Sequence, residues 1–272
     1  MKKLITLVFT FLVSLSLLGC KDDEKTIRIA ASELPHAKIL NEVVKDILKE
    51  KGYELEVTVL DWTIQNDAIA NNEYDANYFQ HIPYLNTYQG KVELAAAVKV
   101  HYEKLCAYAN DINHKTVENG DEIVMVDDIS NAERALNLLV EQGIITIKDS
   151  AYNEEGVFTN FEASNPYKSI EFTENYKDCK LTCIPESTLC QSLSDYDFGI
   201  IPGNTALTGL DKLAERIAFG EANNETLIDE KANIIAVKKS NIDSPKTKAL
   251  VEAFADPRVQ AYIESTFGES VL

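Results

Sequence analysis

Asn71-Asn-Glu-Tyr-Asp-Ala-Asn-Tyr-Phe-Gln-His-Ile-Pro-Tyr-Leu85 opens as a short half-apolar strand and closes where a helix should begin. Pro83 suits a first helical turn, because its missing N–H would have no intrahelical partner there. Phe79 and His81 then lie between the C-terminal end of a strand and a helix N-terminus. Two residues apart, they share a face if strand geometry persists. In open α/β sheets small ligands bind in the crevice beyond such strand ends. The same two residues read equally well as a core phenylalanine and a hydrogen-bonded loop histidine. Their surroundings have to decide.

Upstream, Thr26–Ala31 reads as a buried strand and Ser32–Gly52 as an amphipathic helix, with Ile39, Leu40, Val43, Val44, Ile47 and Leu48 on one stripe. Glu54–Leu60 alternates as a second strand, which completes a right-handed β-α-β unit. Asp61-Trp62-Thr63 follows at another strand end, and a short helix is expected over Asn66–Ala70. Downstream, the strand-like runs Leu94–Val100 and Leu105–Ala109 flank His101-Tyr102-Glu103-Lys104, where a crossing between two lobes is expected. The second lobe restarts with the strand Glu122–Val126, the loop Asp127-Asp128-Ile129 and a helix over Ser130–Gln142. Ser130-Asn131-Ala132-Glu133 has the form of a capping box. Ser150–Lys168 reads as polar surface loop with short helices. Strands are expected at Ser169–Thr173, Leu181–Ile184 and Phe198–Ile201, the last followed by the turn Pro202-Gly203-Asn204. Asn233–Val237 is taken as the return crossing, and Ser244-Pro245 and Asp256-Pro257 open two C-terminal helices.

The chain of 272 residues, 45% apolar, can build one large or two modest cores. Its net charge of −18 argues against a nucleic-acid partner, since phosphate binding needs a positive footprint. Residues 1–19 read as a lipoprotein signal peptide: Lys2 and Lys3, then an apolar run from Leu4 to Leu18 that is short for a membrane span. Leu17-Leu18-Gly19-Cys20 resembles the bacterial lipobox, with Cys20 the acylated residue and 20–26 a short tether. Of the remaining cysteines, Cys179, Cys183 and Cys190 fit either a disulfide between two of them or buried free thiols, and Cys106 stands apart. No Gly-x-Ser-x-Gly elbow, Walker loop, dinucleotide fingerprint or redox Cys-x-x-Cys occurs, which argues against an enzyme. His36, His81 and His101 are candidates for a divalent cation, but no His-x-x-x-His pair supports a metal site. No cofactor is expected.

Three segments together resemble one family, the methionine-binding lipoproteins of the MetQ/NlpA type that serve bacterial ABC importers. They are Asp75–Leu85, Asp127–Leu136 and Ala232–Ala236, in order behind the lipobox, within a likeness that spans nearly the whole mature chain. The resemblance implies an α/β, two-lobe, type II periplasmic-binding-protein fold, each lobe a mixed sheet flanked by helices. It implies a first lobe of 27–105 plus 236–272 and a second of 106–235, closing on free methionine. It also implies a membrane-anchored protein on the extracytoplasmic face, with the permease and ATPase of a methionine importer as partners. Another apolar amino acid or a short peptide is the alternative cargo.

Residue by residue, the likeness gives Phe79 and His81 to the thioether, and Trp62 to a wall position usually held by tyrosine. Arg134 corresponds to the carboxylate clamp, Asn233 to a contact with the ligand's backbone groups, and Asn131 to an asparagine of the same loop. Asp127 stands where asparagine is usual. Pro202 replaces one asparagine of a ligand-contacting Asn-Gly-Asn turn, of which Asn204 is kept. The chemistry of the side chains agrees: arginine forks onto a carboxylate, and a ring wall attracts sulfur at about 0.3–1.5 kcal/mol per contact. Asp127 or Asp128 could balance the ammonium, or simply complement the helix dipole, which is the better reading of Asp128. With Arg134 facing the cleft from a first helical turn, its truncation is expected to cost affinity and leave the unliganded fold stable.

Overall fold

The computed structural model describes residues 24–152, 172–222, 224–268 and 271. The leader, Cys20 and nearly all of the polar 150–168 stretch lie outside the described residues. The first sheet grows from β1 (Thr26–Ala31), which pairs in parallel with β2 (Glu54–Val59) and β3 (Ala76–His81). Between β1 and β2 runs a helical stretch made of Glu33–Ala37, Leu40–Val44 and Lys45–Glu50. It buries Ile39, Leu40, Val44, Ile47 and Leu48, as the stripe predicts, and the chain turns away at Gly52, whose φ of +80° suits a residue without Cβ. β4 (Leu94–His101) is the edge strand, separated from β3 by β12 (Asn233–Lys238), which runs antiparallel to both.

The second sheet repeats this plan. β6 (Glu122–Val126) lies between β9 (Lys180–Ile184) and β10 (Phe198–Ile201), all parallel. β5 (Cys106–Ala109) enters antiparallel beside β10, with β11 (Ile217–Gly220) on its other edge. In each sheet, therefore, three parallel strands are followed by one antiparallel strand arriving from the other lobe. A two-stranded antiparallel pair, β7 (Ile145–Ile147) with β8 (Phe172–Asn175), stands apart from both sheets.

Separate apolar clusters sit on the two sheets. One gathers Ile27, Ile29, Tyr78 and Ile235 with Leu250 and Phe254 of the helix Pro245–Phe254 and Val259 and Ile263 of the helix Pro257–Phe267. The other gathers Ala107, Ile123, Met125, Leu136, Phe198 and Ile200. The outward crossing joins β4 to β5 through Tyr102–Leu105, where the sequence places it. The return crossing is different: β12 lies wholly in the first sheet, so the chain crosses back between Glu221 and Ala232, through the helix Glu225–Lys231. A lobe division at 235/236 therefore cuts a first-sheet strand. The cause is that a short apolar run reads alike as a crossing and as a buried central strand.

Candidate functional site

β3 ends at His81, and that residue caps the next helix. Its Nδ1 accepts the backbone N–H of Tyr84 at 3.1 Å, opening Ile82–Asn86 with Pro83 in the first turn. The neutral ring must then carry its proton on Nε2, which donates to Asn131 Oδ1 at 3.2 Å. Burial, then the Arg134 charge, holds the His81 pKa down to about 3, so the ring is neutral at physiological pH. Opposite this strand end, Ile234 pairs with Gln80 and Ile235 with Tyr78, leaving Phe79 as the extra residue of a bulge. A bulge re-aims the side chains beyond it. Asn77 and Gln80 both reach Asn66, at 2.8 and 2.7 Å to its Oδ1, which pins the strand end to the helix Trp62–Ala70.

That helix starts earlier than the sequence suggests. Asp61 is its cap, accepting from Thr63 N at 2.9 Å, and Trp62 is its first residue. The Trp62 and Phe79 rings both meet Tyr84 edge-on, with centroids 5.4 and 5.7 Å away, forming an aromatic wall. Facing the wall is the helix Ile129–Glu141. Its cap is Asp128, whose Oδ1 accepts from Asn131 N at 3.0 Å, and not Ser130, which is buried with an unpartnered Oγ. The capping box is thus misplaced by two residues, and Arg134 falls in the second turn. Asp127, one residue before the true cap, is only partly buried and is not among the residues that line the cavity.

Arg134 is 6% exposed, and its donors are largely committed. Nε and Nη2 fork onto Glu221 at 2.8 and 2.6 Å, Nη2 also reaches the Glu103 carbonyl at 3.1 Å, and Nη1 donates to Asn131 Oδ1 at 3.3 Å. The fork assigned to a ligand carboxylate is therefore filled by Glu221, leaving a single Nη1–H for the cavity. Burial works to raise the Glu221 pKa, but the hydrogen bonds and charge of Arg134 outweigh it and hold it below the usual range. Glu221 Oε2 also accepts from Tyr102 Oη at 2.6 Å and Leu105 N at 2.9 Å, so one guanidinium–carboxylate pair ties both crossings together.

Glu103, on the outward crossing, is a cleft carboxylate that sequence reasoning passed over. Its Oε1 accepts from His101 Nε2 at 2.8 Å and lies 3.3 Å from His36 Nε2, while its Oε2 accepts from Asn204 N at 3.1 Å. His36 Nε2 also reaches Asn233 Oδ1 at 3.1 Å, and Tyr78 hydrogen-bonds His101 Nδ1. Burial depresses His36 to about 4 and His101 to about 3 and pushes Glu103 up. Of the three histidines weighed for a metal, two converge here: the donors of His36, His101 and Glu103 lie within 4.8 Å of one another, while His81 is held elsewhere. The facing atoms of the cluster bond one another, Tyr78, Asn204 and Asn233, while His36 Nδ1 is buried without a partner. Asn204 belongs to the helix Gly203–Gly209. A Cβ on Gly203 would stand 3.1 Å from Glu103 Cβ and 3.3 Å from Lys104 O, so glycine permits this helix to approach the crossing.

Trp62, Phe79, His81, Asn131, Arg134, Asn204 and Asn233 thus line one narrow cavity between the lobes, together with Gln80, Tyr84, Glu103, Glu186 and Pro202. A ring wall, amides, one neutral imidazole and carboxylates around a partly enclosed space suit a small polar molecule with an apolar end. Two α/β lobes of matching topology, joined by two crossings with such a cavity between them, define a substrate-binding protein of the periplasmic type. The chain belongs to the NlpA lipoprotein family, whose model matches residues 27–272. It is 33% identical over 261 residues to the methionine-binding lipoprotein MetQ of Bacillus subtilis, covering 93% of this chain and 90% of that protein. Among solved structures it resembles a lipoprotein from Ruminococcus gnavus, with TM-score 0.79, 34% identity, and 91% and 98% of the two chains covered. It also resembles a nutrient-binding protein from Burkholderia cenocepacia bound to methionine, with TM-score 0.78, 27% identity, and 90% and 98% covered.

Proposed function

We propose that the protein captures free methionine, chiefly the L form, between its lobes and delivers it to the permease and ATPase of an ABC importer. It acts from the outer face of the membrane, held there by lipid on Cys20. The observation that carries this reading is the cavity wall itself: Trp62, Tyr84 and Phe79 offer a polarizable face for a thioether. Across from them stand polar groups for an amino acid's charged end. Sulfur–aromatic contacts of about 0.3–1.5 kcal/mol each favour methionine over an aliphatic side chain of similar size. The relatives named for methionine support the same cargo. On this reading the protein is a capture module that performs no chemistry on what it binds.

A second cargo class, another apolar amino acid or a short peptide, is favoured by one feature: Glu221 already fills the Arg134 fork. A ligand carboxylate must either displace Glu221 or use the remaining Nη1–H. Native mass spectrometry of the purified protein separates the two. Methionine is expected as the co-purified compound, and a peptide or a different amino acid in its place would move the assignment.

A further inference from the structure

Glu186 differs from the other carboxylates of the cleft. It opens the helix Glu186–Ser192, is 9% exposed, and accepts a hydrogen bond from Thr205 at Oε1. Its Oε2 has no hydrogen-bond partner among the described residues, and no side-chain cation there forms an ion pair with it. Glu103 has N–H donors on both oxygens and Glu221 has a guanidinium, whereas Glu186 is desolvated without a counter-charge. The ionisable groups that face it are Asp61, Glu103 and Asp128, together with the Tyr84 hydroxyl and the Cys190 thiol. Burial first, and then those three carboxylates, push its pKa up to about 7. A buried carboxylate in this condition is unfavourable unless a cation joins it.

Its position gives that cation an address. Glu186, Trp62 and Asn204 are common to the wall of the cleft cavity and of a second cavity at the cleft mouth. The charged side chains lining the second cavity are Glu33, Asp61 and Glu186, all acidic, whereas the first contains Arg134. The first cavity holds the only cationic side chain among these linings, already paired with Glu221, beside Glu103 and Glu186, so the junction at Glu186 is lined by carboxylates without a cation of their own.

We propose that Glu186 is a specificity-determining residue that binds a primary ammonium group of the cargo at the junction of the two cavities. This rests on the reading of the cleft as an amino-acid site. The ammonium is either the α-amino group of a free amino acid or the terminal amine of a dipeptide reaching into the second cavity. In both cases the ionised carboxylate binds the cation, so binding expels a proton wherever free Glu186 is protonated. Affinity then falls as pH drops from 8 to 6.

The test is calorimetry on protein refolded free of ligand, comparing wild type with Glu186→Gln, which keeps the shape and can still meet Thr205. The probes are L-methionine, alanyl-methionine and N-acetylmethionine, which lacks the ammonium. Loss of a hydrogen bond to a charged group is expected to weaken binding about 10- to 150-fold. The variant should also lose the pH dependence and the buffer-dependent heat of proton release. A loss confined to methionine assigns the α-amino group, and one confined to the dipeptide assigns the terminal amine. N-acetylmethionine should not distinguish the two proteins. Equal affinity of wild type and Glu186→Gln for both amines, with the same pH profile, overturns the inference alone. No binding of either amine by wild type overturns it together with the amino-acid reading.

Discussion

Arg134 lines the cavity and also holds the two crossings together, and the second role sets what its removal does. Truncation strands Glu221 in a buried site among Tyr102, Leu105 and Glu103. Breaking one side of a buried pair typically costs about 3–5 kcal/mol. Arg134→Ala is therefore expected to lower unfolding stability by about that much even without ligand, contrary to the sequence-based expectation. Adding Glu221→Gln should recover part of it, because the orphaned charge is gone. Denaturant unfolding of the three variants checks this; an Arg134→Ala protein as stable as wild type contradicts it. The buried histidines give a second residue-scale outcome. His36, His81 and His101 have folded pKa values of about 4, 3 and 3, below the ordinary 6.5. The unfolded chain thus binds more protons between those limits, and stability is lost as pH falls from about 6.5 toward 3–4. Glu186, Glu103, Asp127, Asp128 and Glu133, all raised by burial, and His114, raised beside Asp121, act with the opposite sign. The three strongly depressed imidazoles outweigh them most toward pH 5. Melting temperature should rise from pH 5 to pH 6.5; a flat or falling profile counts against neutral buried imidazoles. The cleft was only half legible at this scale. Phe79, His81, Trp62 and Asn131 stand at strand ends and helix starts, where sequence can place them. Glu103, Glu186 and Glu221 are acids in a chain with 44 acidic residues, and nothing local separates them from a solvated surface.

At the scale of elements, the helix Ile129–Glu141 shows how a motif can name the right helix and the wrong first residue. Ser130 and Asp128 are both good caps by type. Asp128 takes the role, and its second oxygen also holds the Asn131 side chain at 3.0 Å, so the cap positions a cavity residue. Asp128→Ala is expected to cost about 1 kcal/mol. Ser130→Ala should be neutral or stabilising, since it removes a buried hydroxyl without a partner. Thermal melts distinguish the two, and a larger loss at Ser130 would return the cap to that residue. The same limit explains β12. Asn233–Val237 was legible as a strand but not as a member of the first sheet, because pairing partners 130 or more residues away leave no local trace. The bulge at Phe79 was likewise unreadable, since it arises from register against β12 rather than from any glycine in β3.

For the whole molecule, the two-lobe plan was legible through the repeated strand–helix–strand order and the polar segment His101–Lys104. Each sheet carries its own apolar cluster, and Leu207 of the second lobe packs against that of the first. Asn204 N from the second lobe meets Glu103 on the outward crossing, and His81 from the first meets Asn131 from the second. These contacts lie within the cavity wall, so a ligand seated there would bridge groups from both lobes and favour the closed arrangement. Calorimetric titration of the ligand-free protein with L-methionine tests that account most directly. One-to-one binding with a negative heat-capacity change is expected, since an apolar side chain leaves water. No heat and no thermal shift with methionine, alongside a clear response to a different amino acid or a peptide, would contradict it.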